Sequence, residues 1–192
     1  MLKHLSADER ARLHAVEKAA EARTHARFVL TTVPVSDRYA LYPIVYGAIT
    51  AMAALAALAL FWPALSLRTG FFASAVVFAA VSFSLDWLPL RLMSVPKRAK
   101  HAHAQAMAHR AFAARILAQT DHKPGILFFV SLGERYVEVV TDRDVDLRAP
   151  QSVWDAIIAD FTDAARKGRV ADGIANAVEA CAKVLETHYP TK

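Results

Sequence analysis

In Asp142-Arg143-Asp144-Val145-Asp146 three carboxylates alternate. Calcium loops begin in this way, because a hard cation takes oxygen ligands from successive alternate positions of a tight turn. Such a loop also needs glycine at its sixth position and a bidentate glutamate at its twelfth. Counted from Asp142, those positions are Leu147 and Val153, so the EF-hand reading fails. Asp142, Asp144 and Asp146 then leave two readings: a looser divalent-cation site on a strand-end loop, or a solvated turn in which Arg143 and Arg148 balance the carboxylates. The solvated turn is the plainer of the two. Other chemistry is thinly represented. His101, His103 and His109 are spaced by two, six and eight, whereas helical histidines that share an ion sit four apart, so they are expected to be solvated. Cys181 is the sole cysteine, which excludes an internal disulfide and suits a reducing compartment. It falls on the inner stripe of the last expected helix, where it would be inert. Ser131 lies in an apolar stretch with no evident histidine and carboxylate companions. No Walker, dinucleotide or HExxH motif is present.

The elements that must carry these residues are arranged around Tyr39–Leu90. Tyr39–Trp62 holds no charged residue, and Phe71–Leu90 holds one, Asp86. Roughly 20 apolar residues cross a hydrocarbon core about 30 Å thick, and backbone in lipid must satisfy its polar groups internally. Two transmembrane helices, 39–62 and 71–90, are therefore expected, joined by a tight link over Pro63–Gly70. Arg23, Arg27, Arg38, Arg91, Lys97, Arg98, Lys100 and Arg110 flank the pair, against Arg68 alone in the link. By the positive-inside rule both termini are cytoplasmic, at a bacterial inner (cytoplasmic) membrane that the chain crosses more than once. The net charge of +5 clusters beside the expected membrane surface, where anionic lipid attracts it, and nucleic-acid binding is not expected. The polar stretch Met1–Arg12 is not a cleavable signal peptide.

Within the pair, Gly47-x-x-x-Ala51 and Ala53-x-x-x-Ala57 present small residues that allow close helix approach. Packing of one span on the other accounts for them. Asp86 is the sole ionisable residue inside a span, and such residues are functional suspects. Arg91, about a turn away, is its expected partner, with a contact to a partner subunit as the alternative. Asp86, Gly47, Ala51 and Arg91 are thus the candidate membrane or partner contacts.

Outside the spans, Ser6-Ala7-Asp8-Glu9 reads as a capping box for a helix running to about Ala22, with Leu13, Val16 and Ala20 inward. Arg27–Val35 reads as a strand closed by Pro34. Ser94-Val95-Pro96 breaks any helix continuing from the second span. Lys97–Gln119 is a long helix with Met107, Phe112, Ile116 and Leu117 inward, followed by a loop over 120–125. Ile126–Leu132 is nearly all apolar, the pattern of a central strand buried on both faces. Gly133-Glu134 fits a two-residue turn, and Arg135–Thr141 alternates as an antiparallel partner. Helices follow from Ser152, with Trp154, Ile157, Ile158, Phe161 and Ala165 inward and Gly168 as terminator, and over about Ala171–Thr187, with Ile174, Val178, Cys181 and Leu185 inward. This order suggests one α/β domain with a sheet covered on both faces. Its first part is 1–38, its remainder 91–192, and 39–90 is an excursion out of it.

Leu5-Ser6-Ala7-Asp8-Glu9 through Phe28–Pro34, the run from Gly125 to Arg135, Trp154 with Ile157 and Ile158, and Gly168 with Asp172-Gly173-Ile174 resemble the TPM domain family, in particular bacterial membrane members whose domain is interrupted by a transmembrane pair. The resemblance implies an α/β/α sandwich with a mixed sheet. It also implies an accessory protein that docks on, or helps assemble or maintain, a larger membrane protein complex, with the lipid bilayer as its other partner. A cation-dependent, membrane-tethered phosphatase using Asp142, Asp144 and Asp146 is the alternative, and otherwise no cofactor is expected. The chain lacks the aspartate pair that opens many members, and it has Asp142–Asp146 where many have a glycine-rich turn. No family catalytic residue is carried over.

Overall fold

In the computed structural model, which describes residues 5–120 and 123–191, the capping box at Ser6 is made in full. The Ser6 hydroxyl accepts from the Glu9 N–H at 3.1 Å, and the Glu9 carboxylate accepts from the Ser6 N–H at 2.8 Å. Two donors orphaned at a helix start are thereby satisfied. Helix α1 (Ala7–Ala22) follows, burying Leu13 and Ala20 with Val16 partly buried beside them. Strand β1 (Arg27–Val33) stops two residues short of the expected Val35, because Pro34 has no N–H with which to extend a ladder.

The chain folds as two compact units. One comprises residues 37–100, and the other comprises the residues up to 36 together with those from 101 onward. In the first, helix α2 (Leu41–Phe61) and helix α3 (Leu67–Asp86) lie antiparallel. A Cβ on Gly47 would meet Ser82 and Phe78, and one on Gly70 would meet Leu55, so the start of one helix faces the end of the other. Helix α3 begins four residues before the expected Phe71. The Ser66 hydroxyl accepts from the Thr69 N–H at 3.2 Å, and this cap draws Arg68 into the first turn. The helix ends at Asp86 and not at Leu90. Trp87 turns extended (φ −63°, ψ 122°), and a separate short helix, α4 (Leu88–Ser94), starts with Pro89 in its first turn, where a missing N–H costs little. The break expected at Pro96 therefore comes first at Trp87.

The second unit holds a three-stranded mixed sheet in the order β1-β2-β3. Strand β2 (Gly125–Ser131) is its centre and is buried along its whole length. Strand β1 runs parallel to it, from Arg27 opposite Gly125 to Val33 opposite Ser131. Strand β3 (Tyr136–Thr141) runs antiparallel, with Ser131 opposite Tyr136. The period of two sends Phe28, Leu30, Ile126, Phe128 and Val130 to one face, with Val137 and Val139 at its edge. There α1, α7 (Gln151–Arg166) and α8 (Val170–His188) cover them with Trp154, Ile157, Phe161, Ile174, Val178 and Leu185. Leu127, Phe129 and Val140 face the other way, under Ala104, Ala108 and Phe112 of α5 (Lys97–Phe112) and under Ile116. Each large side chain so buried contributes roughly 1.5–3 kcal/mol. The result is a sheet covered on both faces, the α/β/α sandwich that the family resemblance implies.

Several local expectations are corrected. Helix α5 does not continue regularly to Gln119; it passes at Ala113–Leu117 into a π turn, in which the Ala118 N–H donates to the Ala113 carbonyl at 2.9 Å. The wider turn rotates the side chains, so Ile116 is buried while Leu117 is 62% exposed instead of facing the core. The β2–β3 turn has four residues, Leu132–Arg135, rather than two. The Leu132 and Gly133 N–H groups donate to the Val33 and Pro34 carbonyls at 3.0 and 2.8 Å, which holds them to β1 and out of the hairpin ladder. Arg135, not Gly133, takes the left-handed conformation (φ 53°). Gly168 does so at the end of α7 (φ 81°). Of the loop expected over 120–125, residues 121 and 122 lie outside the described residues, and Gly125 is already strand.

Candidate functional site

The three aspartates lie where β3 ends, on a short helix, α6 (Arg143–Arg148), where a solvated turn was expected. Asp142 caps this helix. One of its carboxylate oxygens accepts from the Asp144 and Val145 N–H groups at 2.7 and 3.1 Å, and the other accepts from the Gly125 N–H at 3.3 Å. An aspartate held by backbone donors at a helix start is a stable cap. Asp144 faces elsewhere. It accepts from the Tyr189 hydroxyl at 3.1 Å and lies 3.7 Å from the Arg148 guanidinium, which itself stacks 5.0 Å over the Tyr189 ring. Burial first, then the Asp144 hydrogen bond, push the Tyr189 hydroxyl up to about 12. Asp146 accepts from the Thr141 hydroxyl. Each carboxylate is engaged by a different neighbour. Among the described residues, no group of three or more His, Cys, Asp or Glu is arranged to hold a metal ion. This arrangement closes the end of the sheet and pins the C-terminal segment, where Thr24 bridges Pro190 and the His25 N–H donates to the Tyr189 carbonyl at 2.9 Å.

A second polar cluster sits at the other end of β2. Sequence reasoning gave Ser131 no carboxylate companion, but the turn returns Glu134 to it. Glu134 is only 6% exposed. It accepts from the Ser131 hydroxyl and from both the N–H and the hydroxyl of Ser36, each at 2.8 Å. The signal missed was the turn length, since a two-residue turn would have aimed Glu134 away from Ser131. The cluster fastens the β2–β3 turn to the chain leaving β1, and Ser36 is the last residue before the unit 37–100 begins.

His101, His103 and His109 all lie on α5 and do not converge on one point. His109 approaches Glu138 at 3.3 Å, and Glu138 also accepts from the Tyr136 hydroxyl at 3.0 Å. His101 packs against the Tyr136 ring with centroids 5.4 Å apart. Burial and the Glu138 contact raise the Tyr136 hydroxyl well above its usual value. Cys181 is fully buried on α8, and burial alone pushes its thiol up to about 12, the condition of an unreactive thiol.

In the unit 37–100, Asp86 and Arg91 are hydrogen-bonded to each other. Arg91 also donates to the Asp86 carbonyl at 2.7 Å and to the Arg38 carbonyl at 2.9 Å. This guanidinium therefore ties the end of α3 to the chain leading into α2. Gly47 is buried at the contact between α2 and α3, and a Cβ there would collide with the Ser82 hydroxyl and come within 3.2 Å of the Phe78 carbonyl. Ala51, one turn on, is half-buried. The Tyr46 hydroxyl donates to the Ser94 carbonyl at 3.1 Å. Both helices are long and apolar enough to cross a membrane, and only 6% of the most apolar stretch of each is buried.

The family model for the TPM domain matches residues 89–184, half of the 192-residue chain. Comparison with curated proteins gives no match. Among solved structures, the NMR structure of the BA42 protein from the psychrophilic bacterium Bizionia argentinensis is similar, with a TM-score of 0.58 at 12% identity over 99% of this chain and 87% of that one. At that identity the likeness bears on fold alone.

Proposed function

Because the chain belongs to the TPM domain family, we propose that it is an integral membrane accessory protein. Its TPM-like body, 1–38 with 91–192, docks on or helps assemble or maintain a larger membrane protein complex, and the helical pair within 39–90 anchors it. The support is the outer surface of α2 and α3. Met52, Leu60, Phe61, Leu67, Val76 and Phe83 are all more than 60% exposed there, a patch far beyond what a soluble monomer leaves to water. Lipid is the solvent that suits it. The excess of Lys and Arg on the two chain ends that leave the pair supports a reading with both termini in the cytoplasm, at the inner membrane. Two helices cannot enclose a pore or a substrate route, so a role beyond anchoring needs a partner protein.

Extraction in a mild detergent followed by affinity capture and mass spectrometry tests the reading. A stoichiometric membrane complex should co-purify, and capture of this chain alone would overturn it. Cysteine introduced at Thr69 should be labelled from outside intact cells, and cysteine at Thr191 only after permeabilisation. The alternative, a phosphatase using a divalent cation at Asp142, Asp144 and Asp146, is less well supported because all three carboxylates already have protein partners. Purified protein is expected to be inactive on phosphomonoesters with added Mg²⁺, Mn²⁺ or Ca²⁺. Activity abolished by changing the three aspartates to alanine would reverse that preference.

A further inference from the structure

We propose that the open end of the helical pair is a binding surface for anionic phospholipid headgroups; this rests on the reading of α2 and α3 as membrane-embedded. Two features of the unit 37–100 meet there. The first is apolar. Trp87, Leu90 and Met93 recur every third residue at the start of and along α4, and they are 71%, 39% and 79% exposed. On a helix that spacing keeps side chains on one face. The opposite side of the same segment is inward, with Leu92 and Val95 at 7% and 3%. Helix α4 is therefore amphipathic and follows directly from a membrane-length helix, with a tryptophan at the junction, where aromatic rings favour the headgroup level.

The second feature is charge. Arg38, Arg91, Lys97, Arg98 and Lys100 cluster on the two chain ends leaving the pair, against Asp37 and Asp86. The Arg91 bond to the Arg38 carbonyl and the Tyr46 bond to the Ser94 carbonyl bring those ends together. Arg91 is neutralised by Asp86, and Lys100 donates to the Leu92 carbonyl at 2.7 Å. Arg38, Lys97 and Arg98 are exposed, and no ion pair engages them among the described residues. An apolar stripe set at the bilayer edge beside uncompensated cations fits a lipid whose headgroup is negative, such as phosphatidylglycerol. A zwitterionic headgroup would return no net attraction to these cations.

The test uses the full chain in maltoside micelles with equal amounts of dioctanoyl-phosphatidylglycerol and dioctanoyl-phosphatidylcholine, the retained lipid being counted by native mass spectrometry. Phosphatidylglycerol should be retained about tenfold over phosphatidylcholine at low salt, and the preference should shrink towards unity in about 0.5 M NaCl as screening shortens. The Arg38→Gln/Lys97→Gln/Arg98→Gln variant, altered only at exposed positions, should lose the preference. Trp87→Ala/Met93→Ala should retain less of both lipids. Equal retention of the two lipids, a preference that survives in the triple variant, or displacement by free glycerol phosphate as effective as the lipid would each overturn the proposal. Failure of the underlying reading is separable. Recovery of the chain from cells in the soluble fraction without detergent removes the membrane assignment, whereas recovery in membranes with equal lipid retention removes the headgroup site alone.

Discussion

Glu134 shows how much one side chain can hold. The residue is 6% exposed, and its carboxylate accepts from the N–H and hydroxyl of Ser36 and from the Ser131 hydroxyl. Glu134→Ala removes the carboxylate from these part-buried donors, at roughly 1–3 kcal/mol for a backbone N–H and somewhat less for a hydroxyl that can rotate. A loss of about 3 kcal/mol in denaturant unfolding of the full chain in mild detergent is expected, with Glu134→Gln losing less because it keeps an acceptor oxygen. Unchanged stability in the alanine variant would show the cluster to be incidental. Cys181 acts on the alkaline side. Burial raises its thiol from an ordinary value of 9.0 to about 12, so the folded chain keeps a proton that the unfolded chain releases above pH 9. Stability present below that pH is lost as pH rises, by about 1.4 kcal/mol at pH 10. Tyr136 and Tyr189 are also raised, from 10.0, so they begin to add to the loss as pH approaches 10 and do so increasingly above it. Unfolding measured from pH 8 to pH 10 should show this slope in the wild type and a clearly shallower one in Cys181→Ala, nearly flat up to about pH 9.

At the scale of elements, the contact between α2 and α3 depends on Gly47. Its absent Cβ leaves room for Ser82 and the Phe78 carbonyl, and farther along the pair Leu55 reaches Gly70. A Leu55→Cys/Gly70→Cys variant should therefore cross-link readily under mild oxidation in membranes, and adding Gly47→Leu should abolish the cross-link by forcing the helices apart. Cross-linking that persists with Gly47→Leu would mean the helices meet along another face. Elements set by local chemistry could be read directly from the sequence: the Ser6 capping box, the apolar run of β2, Gly168 as terminator and the inward stripes of α7 and α8. The errors arose where tertiary partners overrode a local signal. Gly133-Glu134 is a good two-residue turn in isolation, yet the Val33 and Pro34 carbonyls claim the N–H groups of Leu132 and Gly133. Nothing in Ala113–Leu117 announces a π turn, so the sequence pattern points Leu117 inward along with Ile116, and only Ile116 is buried. Alternating aspartates suggested a loop because the Gly125 N–H, brought beside Asp142 only by sheet pairing, is invisible in sequence. For the same reason the Ser131–Glu134–Ser36 cluster could not be anticipated.

At the scale of the whole chain, β1 is the parallel neighbour of β2 even though the entire unit 37–100 separates them in sequence. The entropy of closing such a loop grows only slowly with its length, by about 0.6 kcal/mol per doubling. The excursion is thus thermodynamically cheap, and the body should not need it for folding. Replacing residues 37–100 with a Gly/Ser linker of about twenty residues, which behaves as a flexible coil, is expected to give a soluble monomer. It should retain slow amide exchange in β2, the strand buried throughout. Deleting the residues before 36 instead should abolish that protection, since it strips Phe28 and Leu30 from the core and leaves the β1 side of β2 unpaired. If the soluble version aggregates, the helical pair contributes to the fold as well as to anchoring. If it folds, it becomes a test of function. A body that docks on a membrane complex should, when released from its anchor and present in excess, compete with the full chain for that complex and lower its recovery in detergent capture. A soluble body that folds but never competes would move the docking surface from the α/β layers to the helices themselves.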